Sequence, residues 1–452
     1  MDLITRRRGD AEDFGSDHAE ARRISILNGS GRSMQPGTTG KVADRETGYG
    51  WLIPFVATIL AMMALQMSNL GSSPLLKEAQ KEFKMSDSLY GTFTGLYGLS
   101  ALLLSVPGGM LAKRFGEKRI LTAGLLMVMI GLIILSQVWS IPTAFTGRVI
   151  WLIGYRPAFV CVMTAIALTA PLALRSRSMG IVGAITALGS AVGAQFGSSI
   201  GASFGWRKGI LAYAGIALLA AFIFYFLYRV RPQPDVLHAE RKPEDRQAKT
   251  EPGAAKSASV FRNPVIWALA VLEGIVGLGY FSSNWFIPGA VELVFGGNAM
   301  TAANILSTGF VVAVCANIFF GYLMDRLDKW NVMAVMMGIL IPASLCLSLR
   351  SLPLFWIGAA LVLSVGLSAA QQCFALAADV VSGREMGNVM GVVSLGPGIF
   401  GFVGPQMLGW LRDWTGSFTA GWNFLAAVAA LSLLIIIYIK SYIRKRAGSS
   451  SL

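Results

Sequence analysis

The stretch "RSMGIVGAITALGSAVGAQFG" (residues 177–197) returns 207 positions later as "REMGNVMGVVSLGPGIFGFVG" (residues 384–404). The shift lays Arg177, Met179, Gly180, Gly189 and Gly197 on Arg384, Met386, Gly387, Gly396 and Gly404. A nearby shift of 212 places "GMLAKR" (109–114) on "GYLMDR" (321–326). Single glycine matches are cheap in a chain with 51 glycines, but two matched segments in the same order are not. They argue for an internal duplication with parallel halves, an organisation found in secondary transporters.

Composition says where such a chain lives. Of 452 residues, 54% are hydrophobic and only 14% charged, with a mean hydropathy of +0.60. Soluble domains carry roughly a quarter charged residues. Apolar segments recur, each long enough to cross a hydrocarbon core of about 30 Å. The reading is an all-α polytopic membrane protein with twelve spans, near 51–73, 87–112, 120–138, 143–174, 179–203, 208–229, 264–290, 301–324, 331–350, 353–380, 386–410 and 419–439. Residues 1–50 have the composition of a disordered tail rather than a cleaved leader. Residues 230–262 form a polar, Pro-containing linker between two six-span halves, 51–229 and 263–440, and 441–452 form a basic tail.

An even number of spans leaves both ends of the chain on one side. Of the 38 Lys and Arg, 29 fall on that side and 7 opposite, with Arg148 and Arg156 inside a span. The positive-inside rule therefore sets both termini in the cytoplasm. The expected location is the cell membrane, in a bacterium the inner one, and the expected form a monomer. Basic loops beside anionic headgroups account for the net charge of +14, so no nucleic-acid partner is invoked.

Several chemistries drop out. No GxxxxGK[ST] occurs, which removes direct ATP drive. "GPGIFG" (396–401) fits a dinucleotide pattern but lies in an apolar helix with no strand before it. Both histidines, His18 and His238, sit in cytoplasmic segments, and Cys161, Cys315, Cys346 and Cys373 all lie in apolar spans. No metal site, cofactor or enzymatic constellation is indicated. Gly189, Gly193, Gly197, Gly201 and Gly205 repeat every four residues and make a smooth ridge for close packing.

"GGMLAKRFGEKR" (108–119) and "GYLMDRLDKW" (321–330) resemble the cytoplasmic loop motif of the major facilitator superfamily. Asp325 keeps the acid of that motif, whereas Lys113 stands in its place in the first copy. "RSRSMG" (175–180), "GWRK" (205–208) and "GRVIWLIG" (147–154) extend the likeness, with Arg148 and Gly154 in the family's arginine-then-glycine pattern. The resemblance implies two halves rocking about a central site lined by spans one, four, seven and ten. It also implies that spans five and eleven pack across the boundary between the halves. Lys113, Arg114, Asp325 and Arg326 become gate residues, and Asp379 a helix-end or gate residue. Arg148 becomes a structural residue near the outer end, within reach of snorkelling.

Polar stripes on apolar helices face a cavity or a partner rather than lipid. Span seven carries Glu273, Gly277, Tyr280 and Asn284 at i, i+4, i+7 and i+11. Span one carries Gln66, Asn69 and Ser73, and span two Tyr90, Thr94 and Tyr97. Span ten carries Ser364, Ser368, Gln371, Gln372 and Asp379. Glu273 lies roughly 13 Å from its cytoplasmic end and Arg156 roughly 20 Å from the outer end, at 1.5 Å per residue. That puts both near mid-membrane.

Three readings of Arg156 stay open: a fixed cation for an anionic substrate, a cation tied to carbonyls freed by Pro157, or a permanent partner of Glu273. The leading expectation is secondary transport of a small anion, such as a carboxylate, by proton-coupled symport or exchange. Arg156, Gln66, Asn69, Tyr97, Tyr280, Asn284, Gln371 and Gln372 then bind substrate and Glu273 couples the proton. Trp285 is a further candidate to sandwich the substrate. The alternatives are efflux of a neutral or cationic compound, and a scaffold or sensor that keeps the fold without transporting.

Overall fold

The structure, a computed structural model, describes residues 52–169, 175–228, 264–380 and 386–449. The expected tail (1–50), linker (230–262) and Arg384 lie outside them, as do the side chains of Lys113, Arg177 and Asp379.

Every regular element among the described residues is helical. The chain runs α1 (Leu52–Asn69), a 3-10 turn (Leu70–Ser72), α2 (Ser73–Glu82), α3 (Asp87–Phe115), α4 (Glu117–Ser136) and α5 (Ile141–Thr169). It continues through α6 (Arg175–Phe204), α7 (Trp206–Leu227), α8 (Pro264–Phe295), α9 (Ala299–Arg326) and α10 (Lys329–Ser348). It ends with α11 (Leu352–Val380), α12 (Met386–Thr415) and α13 (Thr419–Ser449). Among the described residues, ten helical rods are long and apolar enough to cross a membrane, with α1 and α2 counted as one rod. The protein is a multi-pass membrane protein. Helices α5 and α6, of 29 and 30 residues, run alongside those ten.

Local chemistry sets the ends. Ser86 accepts from Leu89 N to start α3, Asn298 from Thr301 N to start α9, and Asp328 from Asn331 N to start α10. Each satisfies a backbone donor that the first turn leaves free. Gly116, with φ of +85°, lets α3 stop and α4 begin with no intervening loop.

The first span departs from the expected uninterrupted helix over 51–73. Its helix breaks at Leu70–Ser72, where a side chain on Gly71 would meet the Gly193 backbone of α6 at 2.8 Å. The helix restarts at Ser73 with Pro74 in its first turn, where a missing N–H costs nothing. Lys77 and Lys81, expected in a loop, therefore sit on α2.

Helices α1–α7 precede the linker and α8–α13 follow it; they form the first and second sets. Contact between the sets runs chiefly through two crossings, α3 on α12 and α6 on α9. The α3–α12 crossing is tight because it is glycine-lined: a Cβ on Gly95 would stand 2.6 Å from the Phe402 carbonyl oxygen. The expected glycine ridge of α6 does something else. Gly189 and Gly193 lie against Met63 and Met67 of α1, and Gly197 against Tyr213 of α7, all within the first set. The small residues of α6 thus bind its own set together, while its Leu188, Ala191 and Gln195 face α9, whose Ser307 and Val311 line the same surface.

Candidate substrate site

Arg156 is 8% exposed and already partnered. Its Nη2 donates to the Tyr97 carbonyl at 3.1 Å and its Nε to Ser100 Oγ at 3.2 Å. Its guanidinium carbon stands 4.0 Å from the centre of the Tyr97 ring. Both hydrogen-bonded groups belong to α3, so the carbonyls that Pro157 frees in α5 are not what holds it. Pro157 instead lets α3 approach, with Gly108 against its Cα. The expected partnership with Glu273 is not formed.

Arg148 is the other cation, and it is buried completely. Nε, Nη1 and Nη2 are all enclosed without a hydrogen-bond partner. What surrounds them is aromatic: the guanidinium carbon lies 4.2 Å from the Trp151 ring centre, 5.2 Å from Trp285 and 5.6 Å from Phe93. Trp151 is one helical turn along α5 and therefore beside it. Phe93 comes from α3, and Trp285 from α8 in the second set. Tyr90, Tyr97 and Tyr155 are close enough to interact electrostatically with the cation. Trp151 Nε1, Trp285 Nε1 and Tyr90 Oη are likewise buried without a partner. Such a density of orphan donors is rare, because each carries a desolvation penalty of about 1–3 kcal/mol, more for a charge. The snorkelling expected of Arg148 does not occur.

The remaining expected residues divide. Gln66 and Asn69 join the site's edge through one hydroxyl: Asn69 Nδ2 donates to Tyr155 Oη at 3.4 Å, and Tyr155 Oη donates to Gln66 Oε1 at 3.3 Å. Tyr97 reaches across to the second set, its ring 4.9 Å from that of Phe281. Thr94 turns back onto its own helix, donating to the Tyr90 carbonyl. On α8 the expected stripe splits: Asn284 meets the first set, whereas Tyr280 does not. Phe281 and Trp285, four apart, meet Tyr97 and Arg148, while Tyr280 turns into its own set against Phe310 and Gly366.

Glu273 is 3% exposed, its Oε2 has no partner, and it lies near Cys373 of α11. Gln371 is exposed beside Gly183, and the half-buried Gln372 faces Gly321. Neither has a described contact with Arg148 or Arg156. Arg114, Asp325 and Arg326 are exposed at the end of the bundle that carries the α3–α4 and α9–α10 turns.

The opposite end, with the α2–α3 and α8–α9 turns, is fastened across the sets. Asp413 accepts from the backbone N–H of Asp87 at 2.9 Å and of Ser88 at 2.8 Å, capping α3 from α12. Lys81 pairs with Glu292 at 2.7 Å. Asn284 Nδ2 donates to the Leu70 carbonyl, and Ser73 Oγ donates to the Asn284 carbonyl. Gln195 donates to Asn304 at 2.7 Å and Ser307 to the Ala191 carbonyl at 3.0 Å. Asn284 is therefore part of this closure rather than of the Arg148 cage.

Known proteins share this architecture. The family model of the Major Facilitator Superfamily matches residues 55–405 and 295–450, and the chain belongs to that family of membrane transporters. A probable sulfoacetate transporter of Cupriavidus necator is 22% identical over 392 residues, covering 81% of this chain and 88% of that protein. A putative tartrate transporter of Agrobacterium vitis is 22% identical over 407 residues, 85% and 89% of the two chains. Among solved structures, a bacterial homolog to the human lysosomal transporter Spinster shares the fold with a TM-score of 0.63 and 16% identity, over 87% of this chain and 95% of that one.

Proposed function

We propose that the protein carries a small organic or inorganic anion across the cell membrane by alternating access, with Arg148 as the residue that binds it. The observation that carries this is the guanidinium buried between two helix sets with all three nitrogens unbonded. A buried cation with nothing to accept from it is costly unless a ligand completes it. A planar five-donor fork suits a carboxylate, sulfonate or nitrate. The relatives named for sulfoacetate and tartrate support the same substrate class.

In this reading the sets are two six-span halves with α5 and α6 as spans four and five, giving twelve spans and both termini in the cytoplasm. The fastened end then faces outside, and the chain is in its inward-facing state. Tyr97, Gln66 and Asn69 shape the site, and Arg156 braces the α3–α5 wall. Glu273 moves the proton, since no cation is described beside it to make it a fixed charge. The cytoplasmic gate falls to Lys113, Arg114, Asp325, Arg326 and Asp379.

Efflux of a cation with Glu273 as counter-charge has less support, because Glu273 is only 3% exposed and lies near the neutral Cys373.

Proteoliposomes holding the purified protein, with an imposed pH gradient, test the reading on sulfoacetate, tartrate, nitrate, phosphate and glucose. Uptake of at least one anion, lost in Arg148→Gln, is expected. Uptake that Arg148→Gln leaves intact, or uptake of glucose alone, removes it.

A further inference from the structure

We propose that the Arg148 cage selects an oxyanion that has lost every acidic proton, and that Trp285 is its specificity-determining ligand, supplied by the second helix set. This rests on the anion reading above. The unpartnered groups around the guanidinium are mostly hydrogen-bond donors. Arg148 offers five N–H donors and no acceptor, and each indole offers one N–H and no acceptor. Of the unpartnered groups around Arg148, Trp151 Nε1 and Trp285 Nε1 only donate. Tyr90 Oη both donates and accepts, and Asn69 Oδ1, at the site's edge, accepts only.

A carboxylate, sulfonate or nitrate presents acceptors on every edge and satisfies such a set. A partly protonated anion brings an acidic hydroxyl, a strong donor, to a site with few acceptors to receive its proton. Sites of matched polar groups discriminate strongly against a ligand that leaves a buried group unpaired.

Trp285 differs from the other members in origin. Arg148, Trp151, Tyr90 and Phe93 all belong to α3 and α5, whereas Trp285 belongs to α8. An anion held by Arg148 and Trp285 together is therefore a bridge between the two sets. Its binding favours whichever arrangement keeps α8 against α5, so the same indole sets selectivity and links occupancy to rocking. Phe281, one turn earlier on α8, holds that helix in register by packing on Tyr97.

The test is calorimetric titration of the full-length protein in detergent with sulfoacetate, tartrate, nitrate and phosphate, the last held below its second ionisation. Wild type is expected to bind at least one of the first three and to bind the phosphate at least about tenfold more weakly. Trp285→Phe keeps the ring and deletes the N–H; the affinity for the best probe is expected to fall about tenfold, as for loss of one charge-assisted hydrogen bond. Trp410→Phe, on an exposed ring stacked on Trp414, is expected to bind as wild type does.

Equal affinity in wild type, Trp285→Phe and Trp285→Ala overturns the role of Trp285 while leaving Arg148 as the anion site. Protonated phosphate binding as tightly as the best probe overturns the selectivity, with no variant needed. If wild type binds none of the four, the anion reading fails and this inference fails with it.

Discussion

The guanidinium of Arg148, on α5, stands 5.2 Å from the centre of the Trp285 ring, on α8, with no hydrogen-bond acceptor on any of its nitrogens. Arg156, two turns further along α5, has acceptors on Tyr97 and Ser100. The two arginines are thus opposites in energetic terms. Arg156 is satisfied and ties α5 to α3, while Arg148 is buried with no hydrogen bond to offset its desolvation.

That contrast predicts opposite responses to the same substitution. Arg148→Met removes an unpaired buried cation and is expected to stabilise the protein by on the order of 1–3 kcal/mol, as replacing buried charges by apolar groups does. It is expected to abolish anion binding at the same time. Arg156→Met strips a partner from the Ser100 hydroxyl and the Tyr97 carbonyl and is expected to cost about 1–3 kcal/mol. Thermal unfolding of both variants in one detergent decides it. A destabilised Arg148→Met shows that its cation–π contacts outweigh its desolvation and that the residue is structural.

At the fastened end the bonds differ in kind. Lys81–Glu292 is a half-exposed pair, side chains 38% and 31% exposed, worth about 0–1 kcal/mol. Asp413 makes two hydrogen bonds to the first turn of a 29-residue helix and adds its charge to that helix's positive end. Asp413→Asn is therefore expected to shift the population toward opening of this end by about 1 kcal/mol, roughly fivefold, and Glu292→Gln by less than twofold. Reactivity of a cysteine placed at Ser73, which bonds Asn284 beneath the closure, reads the shift. Equal reactivity in the two variants refutes the ranking.

Much of the fold was legible because lipid forces helices on any spanning segment and leaves hydropathy to mark them. The candidate site was legible only in part. Polarity singles out Gln66, Asn69 and Tyr97, and charge Arg156, and the structure sets them near one another. Arg148 reads as structural from the family's arginine-then-glycine pattern, yet α3 and α8 wrap it in rings. Phe93, Trp151 and Phe281 carry no polar signal that separates a cage from a core. Two spacings held the information: Arg148 and Trp151 at i, i+3, and Phe281 and Trp285 at i, i+4. Tyr280 packs in its own set while Asn284 of the same stripe bonds Leu70, because the long helix α8 meets different neighbours along its length.

The tight α3–α12 crossing makes a steric prediction. Gly95→Val places branches where a single Cβ already meets the Phe402 carbonyl oxygen at 2.6 Å. Overpacking of this kind costs about 1–3 kcal/mol. Because the crossing joins the sets, transport is expected to fall by more than the loss of folded protein explains. Gly215→Ala, where a Cβ meets nothing within 4 Å, is the control and is expected to be neutral or stabilising by about 0.4–1 kcal/mol. Uptake normalised to folded protein, unchanged in Gly95→Val, sinks the idea that this crossing moves.

Glu273 supplies the coupling test. It is buried in the second set with neither arginine described beside it, so in the proposed function its proton and the anion are linked through α8 rather than through direct contact. Glu273→Gln keeps the shape and hydrogen-bonding size while fixing the group as neutral. Counterflow of the anion, which needs no net proton movement, is expected to persist within about threefold, an effect under 1 kcal/mol on the barrier. Accumulation driven by a pH gradient is expected to vanish. A variant that still concentrates the anion when the gradient is imposed places the proton site elsewhere. A variant that loses counterflow as well makes Glu273 a structural member of α8, and coupling then has to be sought among the groups around Arg148.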